Sequence, residues 1–223
     1  KVKGQADILR AMQYFDLVRI YGGVPIVTTV EENSTTDVTI QTPRATSSEC
    51  FAQIEQYLGS AAALLPMVWD APSSNYGRLT AAAAIALKSR VLLTAASPLF
   101  NKDWDNSGSQ KWQAALKAGL DAETKLTAAG YGLYGSSVND WSKMELTGNT
   151  AFNKEAIIVY LFNTTSTSSE GYNNSWENQL RPTDYDGSGG LSATKQMLDL
   201  FPLANGARPT AANGYVGTFF FER

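Results

Sequence analysis

Residues 77–101, GRLTAAAAIALKSRVLLTAASPLFN, decide the fold. Four alanines open a run with no Gly or Pro before Pro98, and Thr80 stands where an N-cap hydroxyl belongs. The run 81–96 is apolar almost all round, which predicts a helix buried on most sides. Its many alanines let neighbouring helix backbones come close. Lys88 and Arg90 are the exceptions, expected to reach along the helix to solvent or to pair with a carboxylate.

Working outward, residues 6–21 place Leu9, Met12, Phe15 and Val18 at helical spacing. Gly22-Gly23-Val24-Pro25 stops that helix, because Gly tolerates the reversal and Pro disfavours helix in the residue before it. Asp16 and Arg19 can pair along it at i, i+3. Residues 28–42 are polar and β-leaning and read as loop. Thr46 and Glu49 then have capping-box spacing. The stripe Phe51, Ile54, Leu58, Ala61, Leu65 follows, closed by Pro66. A fourth helix, 111–129, carries Trp112, Ala115, Leu116, Gly119, Ala122 and Leu126 on one side. Such helices and loops predict stacked antiparallel pairs of the tetratricopeptide kind, on element order rather than repeat consensus.

The second half changes character. Residues 156–162, AIIVYLF, read as a short buried strand. Residues 163–190 form a long polar stretch with aromatics set among Asn, Thr, Ser and Gly, of a length usually reserved for functional loops. Residues 193–201 read as a short helix with Met197, Leu198 and Phe201 on one face. The fold class is therefore mainly α, with helical pairs over 1–135 and a loop-rich lobe with short strands over 136–223.

Composition removes whole classes of chemistry. The 223 residues contain no histidine and one cysteine, so imidazole bases, His-ligated zinc and disulfide frameworks are excluded. A net charge of −3 with no basic stripe argues against nucleic acid. Charged residues are 17%, below the usual ~25%, so the surface is built largely from neutral polar side chains. No apolar stretch approaches the ~20 residues of a membrane helix.

Three segments in order resemble the SusD/RagB family of outer-membrane nutrient-binding lipoproteins. They are RAMQYFDLVRIYGGVPIV (10–27), residues 77–101, and LSATKQMLDLFPLANGARP (191–209) followed by 215–223. The resemblance implies tetratricopeptide-like pairs supporting a loop-rich lobe. It implies non-catalytic capture of glycan, or of peptide in some members, at the outer face of the outer membrane. It further implies a TonB-dependent, SusC-like transporter as partner and no cofactor. Family members are about twice this length, so the chain is expected to be an internal portion, with the lipid-bearing cysteine outside it. Cys50, inside a predicted helix, is no candidate for that position.

A glycan site needs flat apolar faces for sugar C–H groups and short polar side chains for hydroxyls. The stretch 172–185 supplies both, and Tyr172, Asn173, Asn174, Trp176, Arg181 and Tyr185 are the candidate ligand-binding residues. Alternatively, Trp176 and Tyr172 pin a long loop to the core. In the 101–106 loop, Asp103, Asp105, Ser107 and Gly108 imitate the start of a calcium loop, but Ala114 stands where a bidentate Glu is required. A solvated turn with Trp104 packed under the helices is expected there. Asp184 to Gly187 reads as turn chemistry, and 187–190 as a hinge without the Lys-Ser/Thr of a phosphate loop. Two alternatives stay open. One is a peptide- or protein-binding helical scaffold; the other is a glycosidase on Asp103, Glu177 or Asp184, whose carboxyls would stand ~5–5.5 or ~6.5–9.5 Å apart.

Overall fold

The structure, a computed structural model, describes residues 1–30, 42–70, 72–106, 108–137, 140, 153–159, 175–180, 183–185, 187–192, 194–203, 205–208 and 210. The chain forms two compact units, Lys1–Leu161 and Phe162–Arg223. Helices make the first: α1 (Val2–Tyr21), α2 (Ser47–Leu64), the single turn α3 (Pro72–Asn75), α4 (Ala81–Ala96) and α5 (Gln110–Ala128). Each long helix packs on its neighbours in sequence, α1 on α2, α2 on α4 and α4 on α5. The fold is the mainly α arrangement of paired helices that the element order implies.

Cap chemistry sets where the helices begin. The Thr46 hydroxyl accepts from the Glu49 N–H at 3.2 Å, while the Glu49 carboxylate accepts from the Thr46 N–H at 2.7 Å. Two orphan donors of α2 are thereby satisfied reciprocally. Those bonds hold the Glu49 carboxyl below its ordinary value of 4.5, the backbone bond from Thr46 being the larger cause. The Thr80 hydroxyl accepts from the Ala83 N–H at 3.1 Å and starts α4.

Packing explains the register. The inner stripe of α1 is Gly4, Asp7, Ile8, Ala11, Phe15 and Val18, against Cys50, Phe51, Ile54, Tyr57, Leu58 and Ala61 of α2. Leu9, expected on this face, is exposed. The face chosen instead, through Ile8 and Ala11, also carries Asp7, which no apolar pattern would bury. Lys3 Nζ at 2.6 Å and Ser60 Oγ at 2.8 Å neutralise and satisfy it. Burying Ile8, Ile54 or Leu58 contributes about 1.5–3 kcal/mol each. The edge-on contact of Phe51 with Phe100, centroids 5.0 Å apart, ties α2 to the end of α4.

Helix α4 buries Ala81 to Ala84, Val91, Ala95 and Ala96, but leaves Leu93 exposed. On α5 only Ala115 and Ala122 of the expected stripe are buried, and Leu116 stands out. Lys88 pairs with Glu55 at 3.5 Å, Arg90 is exposed, and Asp16 pairs with Arg19, all as expected.

Two readings need correction. Residues 156–159 are not a strand, and no strand occurs among the described residues. A strand needs a neighbour for its backbone donors and acceptors. Here the Ala156 N–H turns back to Asn153 O at 3.2 Å, and Ile157 packs against the helical core. The stretch 163–190 is not structureless either. It holds α6 (Ser175–Leu180) and a 3₁₀ turn (Thr183–Tyr185), and the later helix shrinks to α7 (Lys195–Leu198), capped by Thr194.

Candidate functional site

Of the predicted ligand set, Trp176 lies in the first turn of α6 and Tyr185 ends the 3₁₀ turn. Tyr172, Asn173, Asn174 and Arg181 lie outside the described residues, as do the side chains of Trp176 and Tyr185. The backbone around them is folded back. The N–H of Ser188 donates to Asn178 O at 2.8 Å and that of Leu191 to Gln179 O at 3.0 Å. These bonds satisfy carbonyls that the end of α6 would leave free. Gly189, at φ 59°, supplies the bend.

The helical unit offers three further surfaces. A groove of about 480 Å³ has α4 as its floor and α2 and α5 as walls. Ala84, Ile85 and Leu92 lie at its base, Gly59 and Ala62 on one wall, Ala114 and Ala118 on the other. The ion pairs Glu55–Lys88 and Lys117–Asp121 (3.1 Å) border it. It continues through Glu55, Leu92 and Ala114 into a second hollow of about 240 Å³ beside the buried ring of Phe51. Its lining presents no open ring face. Around Trp69, Tyr76, Arg78 and Tyr131 a crevice of about 50 Å³ falls short of the roughly 300 Å³ at which ligand pockets begin. Its groups are committed to structure: the Trp69 indole donates to Leu79 O at 3.0 Å and Tyr131 donates to Met67 O at 3.1 Å. Burial pushes the Tyr131 phenol above its ordinary value.

The third surface is the loop joining α4 to α5. Trp104 is 50% exposed there, contrary to the expectation that it packs under the helices. The burial goes to Trp112 instead, whose indole N–H donates to Trp104 O at 2.8 Å. Asp103 and Asp105 are exposed beside it. No group of three or more Cys, Asp or Glu that could hold a metal occurs among the described residues.

A protein family described as starch-binding and associating with the outer membrane, SusD-like, matches residues 1–93, from α1 into α4. A SusD-like protein of Bacteroides fragilis superposes with a TM-score of 0.65 at 27% identity, covering 93% of this chain and 36% of that one. Residues 1–93 thus resemble the SusD-like family, and the chain shares the fold of SusD-like proteins. Two further structures share the fold. One is a SusD-like carbohydrate-binding protein of Bacteroides fragilis (TM-score 0.65, 20% identity, 93% of this chain and 35% of that). The other is a SusD homologue of Bacteroides thetaiotaomicron (TM-score 0.56, 23% identity, 74% and 29%). None of the curated proteins matches in sequence. The chain spans about a third of the length of the solved structures it matches. No helix among its described residues is long and apolar enough to cross a membrane.

Proposed function

We propose that the protein carrying this chain captures a glycan non-catalytically at the cell surface and passes it to a TonB-dependent, SusC-like transporter. The observation that carries the reading is the match of residues 1–93 to a family described as starch-binding and associating with the outer membrane. The composition fits: paired helices make the first unit, and neutral polar and aromatic residues are concentrated in 163–190. Tyr172, Asn173, Asn174, Trp176, Arg181 and Tyr185 are the proposed contacts. Membrane attachment is assigned to a lipid on a segment outside these residues, at the extracellular face of the outer membrane.

Calorimetric titration with neutral oligosaccharides tests this. Saturable binding without product release supports capture, and release of reducing ends over hours favours hydrolysis. Replacing Tyr172, Trp176 and Tyr185 together with Ala is expected to weaken binding, and unchanged affinity removes this stretch from the site.

A second reading has its own observation, the groove between α2, α4 and α5. A protein-binding helical scaffold would use it, and the two readings are compatible if the transporter is the protein bound. Co-purification of the full-length protein with that transporter, before and after Gly59→Trp fills the groove, tests this role.

A further inference from the structure

Among the described tryptophans, Trp69 and Trp112 are half-buried and donate their indole N–H to carbonyls at 3.0 and 2.8 Å. Trp104 does neither: its ring is half exposed and its indole N–H has no acceptor among the described residues. Nor is the loop that bears it loosely held. Asn101 is buried and donates to Ala96 O at 3.1 Å and Ser109 Oγ at 3.3 Å, while its Oδ1 accepts from the Asp103 N–H at 3.2 Å. Lys111 Nζ donates to Phe100 O at 2.7 Å, and the Asn106 N–H donates to Asp103 O at 3.1 Å. All these bonds fix backbone around Trp104, and none uses its ring.

An exposed indole on a fixed frame forgoes burial that a buried aromatic would gain. Its surroundings suit a particular ligand. Asp103 and Asp105 are exposed and their carboxylates have no hydrogen-bond or ion-pair partner among the described residues, nor has the Lys102 ammonium. A half-exposed indole with a free N–H, flanked in sequence by two free carboxylates, has the chemistry to stack on sugar C–H groups, accept from hydroxyls and donate to one.

We infer that Trp104 is a stacking platform for a neutral oligosaccharide, with Asp103 and Asp105 accepting from its hydroxyls. The inference rests on the glycan-binding reading above and adds a contact in the helical unit, separate from 172–185. Asp103 and Asp105 directly flank the ring in sequence and disfavour an anionic sugar there, so the ligand class is neutral. A loop already fixed loses little conformational freedom on binding, which favours affinity. Because the ring takes no part in holding the loop, its removal leaves the frame intact.

The test titrates the full-length wild-type, Trp104→Ala and Trp104→Phe proteins with maltoheptaose, cellohexaose and laminarihexaose, and with oligogalacturonate as the anionic probe. Wild type is expected to bind at least one neutral probe more tightly than oligogalacturonate. Trp104→Ala is expected to bind it about tenfold more weakly, equivalent to about 1.4 kcal/mol. Trp104→Phe, which keeps a ring face, is expected to restore most of the affinity, with both variants keeping the far-UV ellipticity of wild type. If wild type binds no neutral probe, the glycan reading falls and this inference with it. If wild type binds and Trp104→Ala binds equally well, the platform alone is overturned. Preference for oligogalacturonate would also overturn it. So would a variant that keeps sugar affinity but loses co-purification with the transporter, which would make Trp104 a protein contact.

Discussion

Gly23→Ala is expected to be among the most damaging single-methyl additions to the helical unit. A Cβ at Gly23 would stand 1.9 Å from the carbonyl oxygen of Ala45 and 3.1 Å from the carbonyl carbon of Thr46. Reaching even 3.0 Å requires 3.0 − 1.9 = 1.1 Å of movement, and the obstacle is backbone, which cannot rotate away. The movement pulls on the bonds that seat α1 against the start of α2. These are Ala45 N–H to Val24 O (3.2 Å), Arg44 Nε to Gly23 O (2.8 Å) and Arg44 Nη2 to Tyr21 O (2.6 Å). Overpacking together with lost hydrogen bonds gives about 2–4 kcal/mol. That corresponds to a fall in Tm of roughly 4–16 °C for a chain of this size.

Two other glycines calibrate the result. Gly22, at φ 72° and ψ −136°, has open space around a Cβ, so Gly22→Ala costs only backbone strain, about 1–3 kcal/mol. Gly59 lies mid-helix and exposed with nothing within 4 Å, so Gly59→Ala stabilises by about 0.8–1 kcal/mol. Urea unfolding followed by far-UV ellipticity reads the helices directly. The expected order of midpoints is Gly59→Ala, wild type, Gly22→Ala, Gly23→Ala, with m unchanged. A Gly23→Ala protein at least as stable as Gly22→Ala would refute the claim that the second glycine is there for close backbone approach.

Cys50 is fully buried, with its sulfur 3.4 Å from the Val24 nitrogen, so Ellman's reagent should label it only as the chain unfolds in urea. Tyr57 is buried with its hydroxyl unpartnered among the described residues, and burial holds the phenol above its ordinary value. Tyr57→Phe is therefore expected to stabilise by about 1 kcal/mol, read as a rise in Tm. A loss instead would mean that the hydroxyl has a partner such as buried water. Glu49 has a depressed folded pKa, so its contribution is fully present above 4.5 and is lost as pH falls through the folded value. The stability gap between wild type and Glu49→Gln should be flat near neutrality and close progressively below 4.5. A gap independent of pH would contradict the capping role of the charge.

Much of the helical unit is legible because its signals are local. Thr46 and Glu49 are three residues apart, and Thr80 and Pro98 bracket the alanine run, so α2 and α4 follow from nearest-neighbour chemistry. The α1 register is less so. Residues 8, 11, 15 and 18 and residues 9, 17 and 20 are both apolar series, and only the partner helix chooses between them. That choice buries Asp7, which is tolerable because Lys3 and Ser60, the latter 53 residues away, complete its hydrogen bonding. The run 156–162 misleads for the opposite reason. Its β-branched residues advertise a strand, but strand formation is decided by a neighbour that the run itself cannot specify.

Aromatics in loops carry no periodicity, so the sequence pattern around Trp104 is equally consistent with a buried anchor and an exposed platform. Backbone accounting separates them. Trp112 and Trp104 are eight residues apart at the two sides of one loop, and Trp112 is the more buried of the two. The Trp112 N–H reaches Trp104 O from the first turn of α5, and the ring of Trp104 is left half exposed. An anchor would have satisfied its own indole N–H, as Trp69 does on Leu79 O. The two tryptophans therefore make different predictions for one substitution. Trp112→Ala should destabilise by about 1–3 kcal/mol through lost burial and a lost hydrogen bond, read as a lower Tm. Trp104→Ala should lower the Tm by less than Trp112→Ala, since half of its surface is already exposed, and should weaken binding. If both variants unfolded at the same reduced temperature, the assignment of one ring to the fold and the other to a ligand would be untenable.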